Sequence, residues 1–156
     1  MKYVFLDVDG VLNNFKYIKK CYKKNGNKGF FCHNVPFDPK CLKRIAKVVR
    51  KYKAKIVLTS TWRLDDTSLS ILNARLAEYG VQVSYITEYI SSNRGFEIES
   101  WLNKQNFSKY LDDFIIIDDE ISDIAPYFDS NKIIKTDFNV GFTWLNMLDA
   151  MIRLSD

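Results

Sequence analysis

Residues 3 to 13 read Tyr-Val-Phe-Leu-Asp-Val-Asp-Gly-Val-Leu-Asn, so four apolar residues run directly into two carboxylates one position apart and then a glycine. Carboxylates so placed can attack an electrophile, move protons and hold a divalent cation. The run Tyr3 to Leu6 is continuously apolar rather than alternating, as in a strand buried on both faces of a parallel sheet. Asp7 then falls at the carboxyl end of that strand, where open α/β sheets place their sites. Successive strand side chains point to opposite faces, so Asp7 and Asp9 can address one substrate only if the chain leaves extended geometry after Asp7. Gly10 permits that turn.

Three further polar clusters follow in the chain. Lys55 to Leu58 read as a second strand that ends in Thr59, Ser60, Thr61, Trp62 and Arg63. Phe114 to Ile117 read as another, ending in Asp118 and Asp119, with Asp123 four residues beyond the latter. Between them, in Asn93-Arg94-Gly95-Phe96-Glu97-Ile98, a cation opens a helical pattern. Taken alone, the hydroxyls could simply cap a turn, and the Asp-Asp-Glu cluster could decorate a helix N-terminus. In order, however, FLDVDGVLN, IVLTSTWR, RGFEIESWL and IIIDDE resemble the haloacid dehalogenase (HAD) superfamily. Within it, the chain is similar to the small phosphatase domain associated with bacterial and viral RNA-repair proteins, over residues 2 to about 145.

That resemblance implies roles. Asp7 matches the nucleophile that takes up the phosphoryl group, and Asp9 the acid that protonates the leaving oxygen and later accepts a proton from water. Thr59 matches the hydroxyl that binds a phosphate oxygen, with Ser60 taking that place if the strand runs one residue longer. Arg94 matches the cation that orients the nucleophile and balances charge. Mg2+ is the implied cofactor, held by Asp7, the main-chain carbonyl of Asp9 and a fourth-motif acid. Asp119 is the first choice for that acid and Asp118 the close alternative, with Asp123 acting through water. Arg63 is a candidate phosphate ligand or else a surface charge. Trp62 and Trp101 read as packing residues.

These residues need a scaffold of alternating strands and helices. After the first strand comes an insert from Asn13 to about Pro36, expected to be irregular, with Gly26 and Gly29 as breakers. Asp38 and Pro39 open a helix whose apolar positions Leu42, Ile45, Val48 and Val49 recur at helical spacing. A helix is expected over Ser68 to Tyr79, with Ile71, Leu72, Leu76 and Ala74 inward and Gly80 ending it. A strand follows over Val81 to Ile86, a helix over Arg94 to Lys104 and a short helix over Ile121 to Tyr127. A strand over Lys132 to Lys135 and a last helix, capped by Thr143 and running to about Arg153, complete the set. The fold class is α/β, a three-layer sandwich around a five-stranded parallel Rossmann-like sheet. The superfamily resemblance implies strand order 3-2-1-4-5.

Length and composition fit one domain spanning residues 1–156, with 47% hydrophobic content. There is no apolar stretch long enough for a membrane span and no signal-peptide pattern, so a cytoplasmic protein without a membrane partner is expected. Three cysteines argue for free thiols. Cys21, Cys32, His33 and Cys41 lack the spacing of a zinc site. Charge is uneven: Lys16 to Lys55 carry fourteen Lys or Arg against one acid, Asp38, whereas the rest carries nine against eighteen. Lys16, Lys19, Lys20, Lys23, Lys24 and Lys28 interleave with Phe15, Tyr17, Tyr22, Phe30, Phe31 and His33. Basic residues beside aromatics suit single-stranded nucleic acid, which makes Lys19 and Lys20 candidate substrate-binding residues. A solvated lysine-rich flap is the competing reading.

The expected function is therefore a magnesium-dependent phosphomonoester hydrolase acting through an aspartyl phosphate, on single-stranded RNA or DNA ends or on nucleotides. The alternatives are a phosphatase of small metabolites such as sugar phosphates and a catalytically silent nucleic-acid-binding module. A receiver-type phosphoacceptor is disfavoured because the third strand ends in Tyr85, Ile86 and Thr87, without an aspartate.

Overall fold

The computed structural model describes residues 1–29, 35–106 and 114–155. Phe30, Phe31, Cys32 and His33 lie outside the described residues. Strands β1 (Tyr3–Leu6), β2 (Lys55–Leu58), β3 (Val83–Ile86), β4 (Phe114–Asp118) and β5 (Ile133–Lys135) form a parallel sheet in the order β3-β2-β1-β4-β5. This is the order implied by the resemblance. β1 lies at the centre with all four residues buried, which accounts for its unbroken apolar pattern.

Alternation along the strands divides the core into two layers. Val4, Leu6, Ile56, Leu58, Ile115 and Ile117 point to one face, against helices α2 (Pro39–Tyr52), α3 (Asp66–Ala77) and α5 (Trp144–Arg153). Tyr3, Phe5, Val57, Phe114 and Ile116 point to the other, against α4 (Arg94–Lys104) and the 121–128 segment. On that second face Trp101 is the hub, with ring centroids 5.3 Å from Tyr3, 5.4 Å from Phe5 and 5.7 Å from Tyr85. The two edge-to-face pairs, with Tyr3 and Phe5, add roughly 0.5–1.5 kcal/mol each beyond the area they bury.

Helix boundaries follow local chemistry. The Asp38 side chain accepts the Lys40 N–H at 2.9 Å and Pro39 fills the first turn of α2. Asn93 caps α4 by accepting the Phe96 N–H at 2.8 Å. Thr143 and Asn146 form a capping box on α5. No described helix is long and apolar enough to cross a membrane.

The structure corrects several sequence expectations. The insert is not irregular throughout, because Phe15–Lys24 form helix α1, capped by Asn14. Its lysines are good helix formers and its breakers, Gly26 and Gly29, lie only beyond its end. Its apolar residues Tyr17, Ile18 and Cys21 share one half-buried face, but none is fully buried and the lysines between them obscure the pattern. Residues 121–127 form turns rather than a helix, with Pro126 unable to continue a helical ladder. Lys132 belongs to a 3-10 turn, Ser130–Lys132, and β5 starts one residue later. α3 starts at Asp66 and ends at Ala77, β3 starts at Val83, and Ala74 faces solvent rather than the core.

One glycine fixes how α4 approaches the sheet edge. A Cβ on Gly95 would overlap the Asp123 carbonyl and the Tyr127 ring. Helix propensity alone favours Ala over Gly by about 1 kcal/mol. Gly95→Ala should nevertheless destabilise the protein, by about 1–3 kcal/mol, because the overlap falls on backbone. Urea denaturation followed by circular dichroism measures this, and a variant more stable than wild type would show that α4 does not seat as closely as described.

Candidate active site

The register of the sheet brings the motif residues level. Tyr3 lies opposite Lys55 and Phe114, and Leu6 opposite Leu58 and Ile117, so the ends of three strands align. Ladder hydrogen bonds continue one step past them: Asp7 N–H to Ile117 O at 3.0 Å, Thr59 N–H to Leu6 O at 3.0 Å and Thr87 N–H to Leu58 O at 3.0 Å. The edge row therefore reads Thr87, Thr59, Asp7, Asp118 across the sheet. By the same alternation that points Phe5, Val57 and Ile116 toward α4, a step of two residues points Asp7, Thr59 and Asp118 that way. The first residue of α4 is Arg94.

Arg94 meets two of these acids. Its Nη1 lies 3.0 Å from Asp7 Oδ1 and 2.5 Å from Asp118 Oδ2. The backbone N–H of Arg94 is held at 2.7 Å by Asp123 Oδ2, and Asp118 Oδ1 accepts the Glu120 N–H at 3.0 Å. Burial pushes the Asp7 carboxyl up to about 7, helped by the Asp118 charge and opposed by Arg94. Burial likewise takes Asp118 up to about 6, against the pull of Arg94, and raises Asp119. Burial works against the Arg94 charge, yet Asp7 and Asp118 outweigh it and hold the guanidinium above its usual value. One cation thus serves a cluster that carries more negative charge than it can offset.

Asp9 sits in different surroundings. The turn after β1 is closed by Leu12 N–H to Val8 O at 2.8 Å, with Gly10 at φ 75°. It lifts Asp9 out into solvent while Asp7 stays buried. Asp9 Oδ1 accepts from Asn13 Nδ2 at 2.7 Å and Oδ2 from Trp62 Nε1 at 3.1 Å. Asn13 Oδ1 in turn accepts the Gly10 N–H at 3.1 Å, so Asn13 ties the turn to the acid it carries. Asp119 leans over Gly10, where any Cβ would overlap its carboxylate.

Thr59 is 1% exposed, and its hydroxyl has no hydrogen-bond partner among the described residues. It borders a cavity of about 150 Å3 together with Thr61, Arg63, Tyr89, Ser92 and Arg94. A buried, unpaired hydroxyl costs about 1–3 kcal/mol, which a bound oxyanion would recover. Ser60 is also buried, but it caps the Thr61–Leu64 3-10 turn, its Oγ accepting the Trp62 N–H at 3.4 Å. Asp7, Asp118 and Asp119 each place a carboxylate oxygen so that the three lie within 4.8 Å of one another. A set of hard oxygen donors fits Mg2+ better than zinc. Asp123 is outside this group and is engaged by the Arg94 backbone.

Arg63 is not a surface charge. It is 6% exposed, donating from Nε to Thr87 O at 2.8 Å, from Nη1 to Thr59 O and from Nη2 to Glu97 Oε2 at 2.7 Å. Glu97 Oε1 accepts the Ile90 N–H at 2.8 Å. This buried pair clamps the β2 edge, the β3 edge and α4 behind the cavity. Sequence reasoning missed Asn13 and Glu97, while Trp62 packs in the core as expected and in addition donates to Asp9. The available signal for Glu97 was a carboxylate adjoining the apolar stripe Ile98, Trp101 and Leu102 of a core-facing helix. Lys19 and Lys20 are both exposed on α1. Lys19 lies over the Phe15 ring, and Lys20 lines a separate cavity.

Removing one partner of a buried ion pair strands the other. Glu97→Ala should therefore cost about 3–5 kcal/mol and Glu97→Gln distinctly less, since the amide keeps an acceptor. Equal and small losses in urea denaturation would show that the pair is not buried as described.

The chain matches the HAD domain in Swiss Army Knife RNA repair proteins over residues 3–147. Neither a curated protein nor a solved structure matches it. All four motif clusters converge on one sheet edge, in the strand order expected of them, within a match that spans nearly the whole chain. The protein belongs to the family of HAD domains found in Swiss Army Knife RNA repair proteins.

Proposed function

We propose that this protein is a magnesium-dependent phosphomonoester hydrolase that works through an aspartyl phosphate on Asp7 and acts on phosphorylated polynucleotide ends or nucleotides. The observation that supports this most is the separation of the two first-motif acids. Asp7 is buried beside Arg94, whereas Asp9 is exposed and held by Asn13 and Trp62. One position suits an oriented nucleophile and the other a proton carrier in contact with water.

In the first step an Asp7 carboxylate oxygen bonds to phosphorus as the bond from phosphorus to the ester oxygen breaks. Asp9 gives its proton to that departing oxygen, releasing an alcohol. In the second step water attacks phosphorus, Asp9 takes the water's proton, and the bond to Asp7 breaks to release inorganic phosphate. Arg94 keeps Asp7 oriented and balances charge, and the unpaired Thr59 hydroxyl donates to a phosphate oxygen. Arg63 and Glu97 act indirectly by holding the wall that carries Thr59. Mg2+, held by Asp7, the Asp9 carbonyl and Asp119 or Asp118, with Asp123 further out, would supply neutralisation of the acids and of the phosphate oxygens. The family's link to RNA repair favours nucleic-acid ends over small metabolites.

Asp7→Asn should abolish turnover and at the same time stabilise the metal-free protein. Because its folded pKa is raised from 3.8 to about 7, the Asp7 carboxyl costs stability progressively as pH rises through that window, and the cost stays in full above it. At about pH 8 the Asn variant should melt higher, by about 2–4 °C per kcal/mol relieved, and gain less from added Mg2+ than wild type does. A variant that melts lower or keeps its activity would overturn the assignment.

Asp9→Asn should slow substrates with poor leaving groups more than aryl phosphates, by a contrast on the order of 10²-fold. Steady-state rates on an alkyl and an aryl phosphate measure it, and equal losses would reduce Asp9 to a structural role.

A further inference from the structure

The cavity beside Thr59 and Arg94, about 150 Å3, is well below the usual size of a small-molecule site. It has room for a phosphate, and the remainder of a larger substrate must lie elsewhere. A second cavity of about 580 Å3 lies between α1 and the start of α2, walled by Lys16, Tyr17 and Lys20 on one side and Lys40 and Arg44 on the other. Lys16 with Lys20 and Lys40 with Arg44 are each spaced one helical turn apart, so two pairs of cations face one space. The one acid in that wall among the described residues, Asp38, is committed: it accepts from Asn14 Nδ2 at 2.9 Å and from the Lys40 backbone at 2.9 Å. Arg44 is anchored to Phe142 O at 3.0 Å, which leaves the three lysines as the exposed charges.

Only one peptide bond separates this groove from the reactive turn. Asn13 holds Asp9, and Asn14 caps α1 and lines the cavity. We propose that the groove binds the phosphodiester backbone of a single-stranded nucleic acid whose terminal phosphate enters the Asp7 site, with Lys16, Lys20 and Lys40 contacting internal phosphates. This rests on the phosphatase reading for its outcome but not for the binding itself. The Tyr17 ring in the same wall offers a base a stacking surface, as single-strand sites commonly do. The lysines of α1 are thereby sorted: Lys16 and Lys20 face the groove, and Lys19, Lys23, Lys24 and the following Lys28 do not line it.

The test is fluorescence anisotropy with a single-stranded oligoribonucleotide of about 12 nucleotides that carries no terminal phosphate. One variant combines Lys16→Glu, Lys20→Glu and Lys40→Glu, and a second combines Lys23→Glu, Lys24→Glu and Lys28→Glu, which makes the same charge change outside the groove. Acids at positions 16 and 40, in the first turns of α1 and α2, suit the helix dipole, whereas acids at 23 and 24, in the last turn of α1, oppose it, so circular dichroism checks that both variants fold. The groove variant should bind at least tenfold more weakly, with its salt slope flatter by about 2, while the second stays within about threefold of wild type. Equal weakening of both variants would mean a diffuse charge effect and overturn the groove. Unchanged binding by the groove variant would overturn it as well. Hydrolysis of an aryl phosphate by wild type, measured alongside, reports on the phosphatase reading separately, because the anisotropy requires no turnover.

Discussion

Two carboxylates on adjacent central strands, buried against one guanidinium, set the terms for the rest of this molecule. The level register of β1 and β4 forces Asp7 and Asp118 together, and burial raises the cost of their charge. Arg94 offsets part of that cost only if the start of α4 is held against the sheet edge. Several otherwise unrelated features meet this need. Asp123 receives the Arg94 backbone N–H, Gly95 allows close approach to the 121–127 turns, and the Trp101 cluster fixes the helix body. The Arg63–Glu97 pair then ties the same helix to the strand end that carries Thr59. The charge that Arg94 leaves uncompensated on Asp7, Asp118 and Asp119 would favour a divalent cation there.

The two acids of the first motif differ because the chain changes conformation between them. Asp7 still takes part in the sheet ladder, whereas Asp9 lies in a turn that Gly10 makes possible. Asn13 and Trp62 then restrain a residue that exposure alone would leave mobile. Beyond Asn13, Asn14 starts the α1 helix, whose lysines face those of α2 across a cavity. The same short segment thus joins the acidic cluster at the strand ends to an exposed, cationic surface.

Much of this was legible in the chain. The run Tyr3 to Leu6 fixed a central strand because only burial on both faces tolerates unbroken apolar residues, and Asp38-Pro39 and Thr143 marked helix starts through their hydrogen bonding. The row of Asp7, Thr59 and Asp118 was inferable from strand ends, but their common direction required the register. α1 is a short amphipathic helix whose Tyr17, Ile18 and Cys21 are only half-buried, and its face was hard to read among six lysines and beside two glycines. The 121–127 helix failed at Pro126, a local rule outweighed by an attractive apolar pattern. Trp62 packs in the core as expected, but its hydrogen bond to Asp9 and the burial of Arg63 against Glu97 could not be read locally, because each partner is at least thirty residues away in sequence.

The central claim is that Asp7 carries the phosphoryl group covalently. The most direct test is to quench wild-type protein during turnover of an aryl phosphate, reduce any acyl phosphate with borohydride, and map the product by peptide mass spectrometry. Reduction should convert residue 7 to homoserine in a substrate-dependent manner, with no conversion at Asp9, Asp118 or Asp119. Sustained turnover with residue 7 unmodified, or conversion at one of the other acids, would contradict the account.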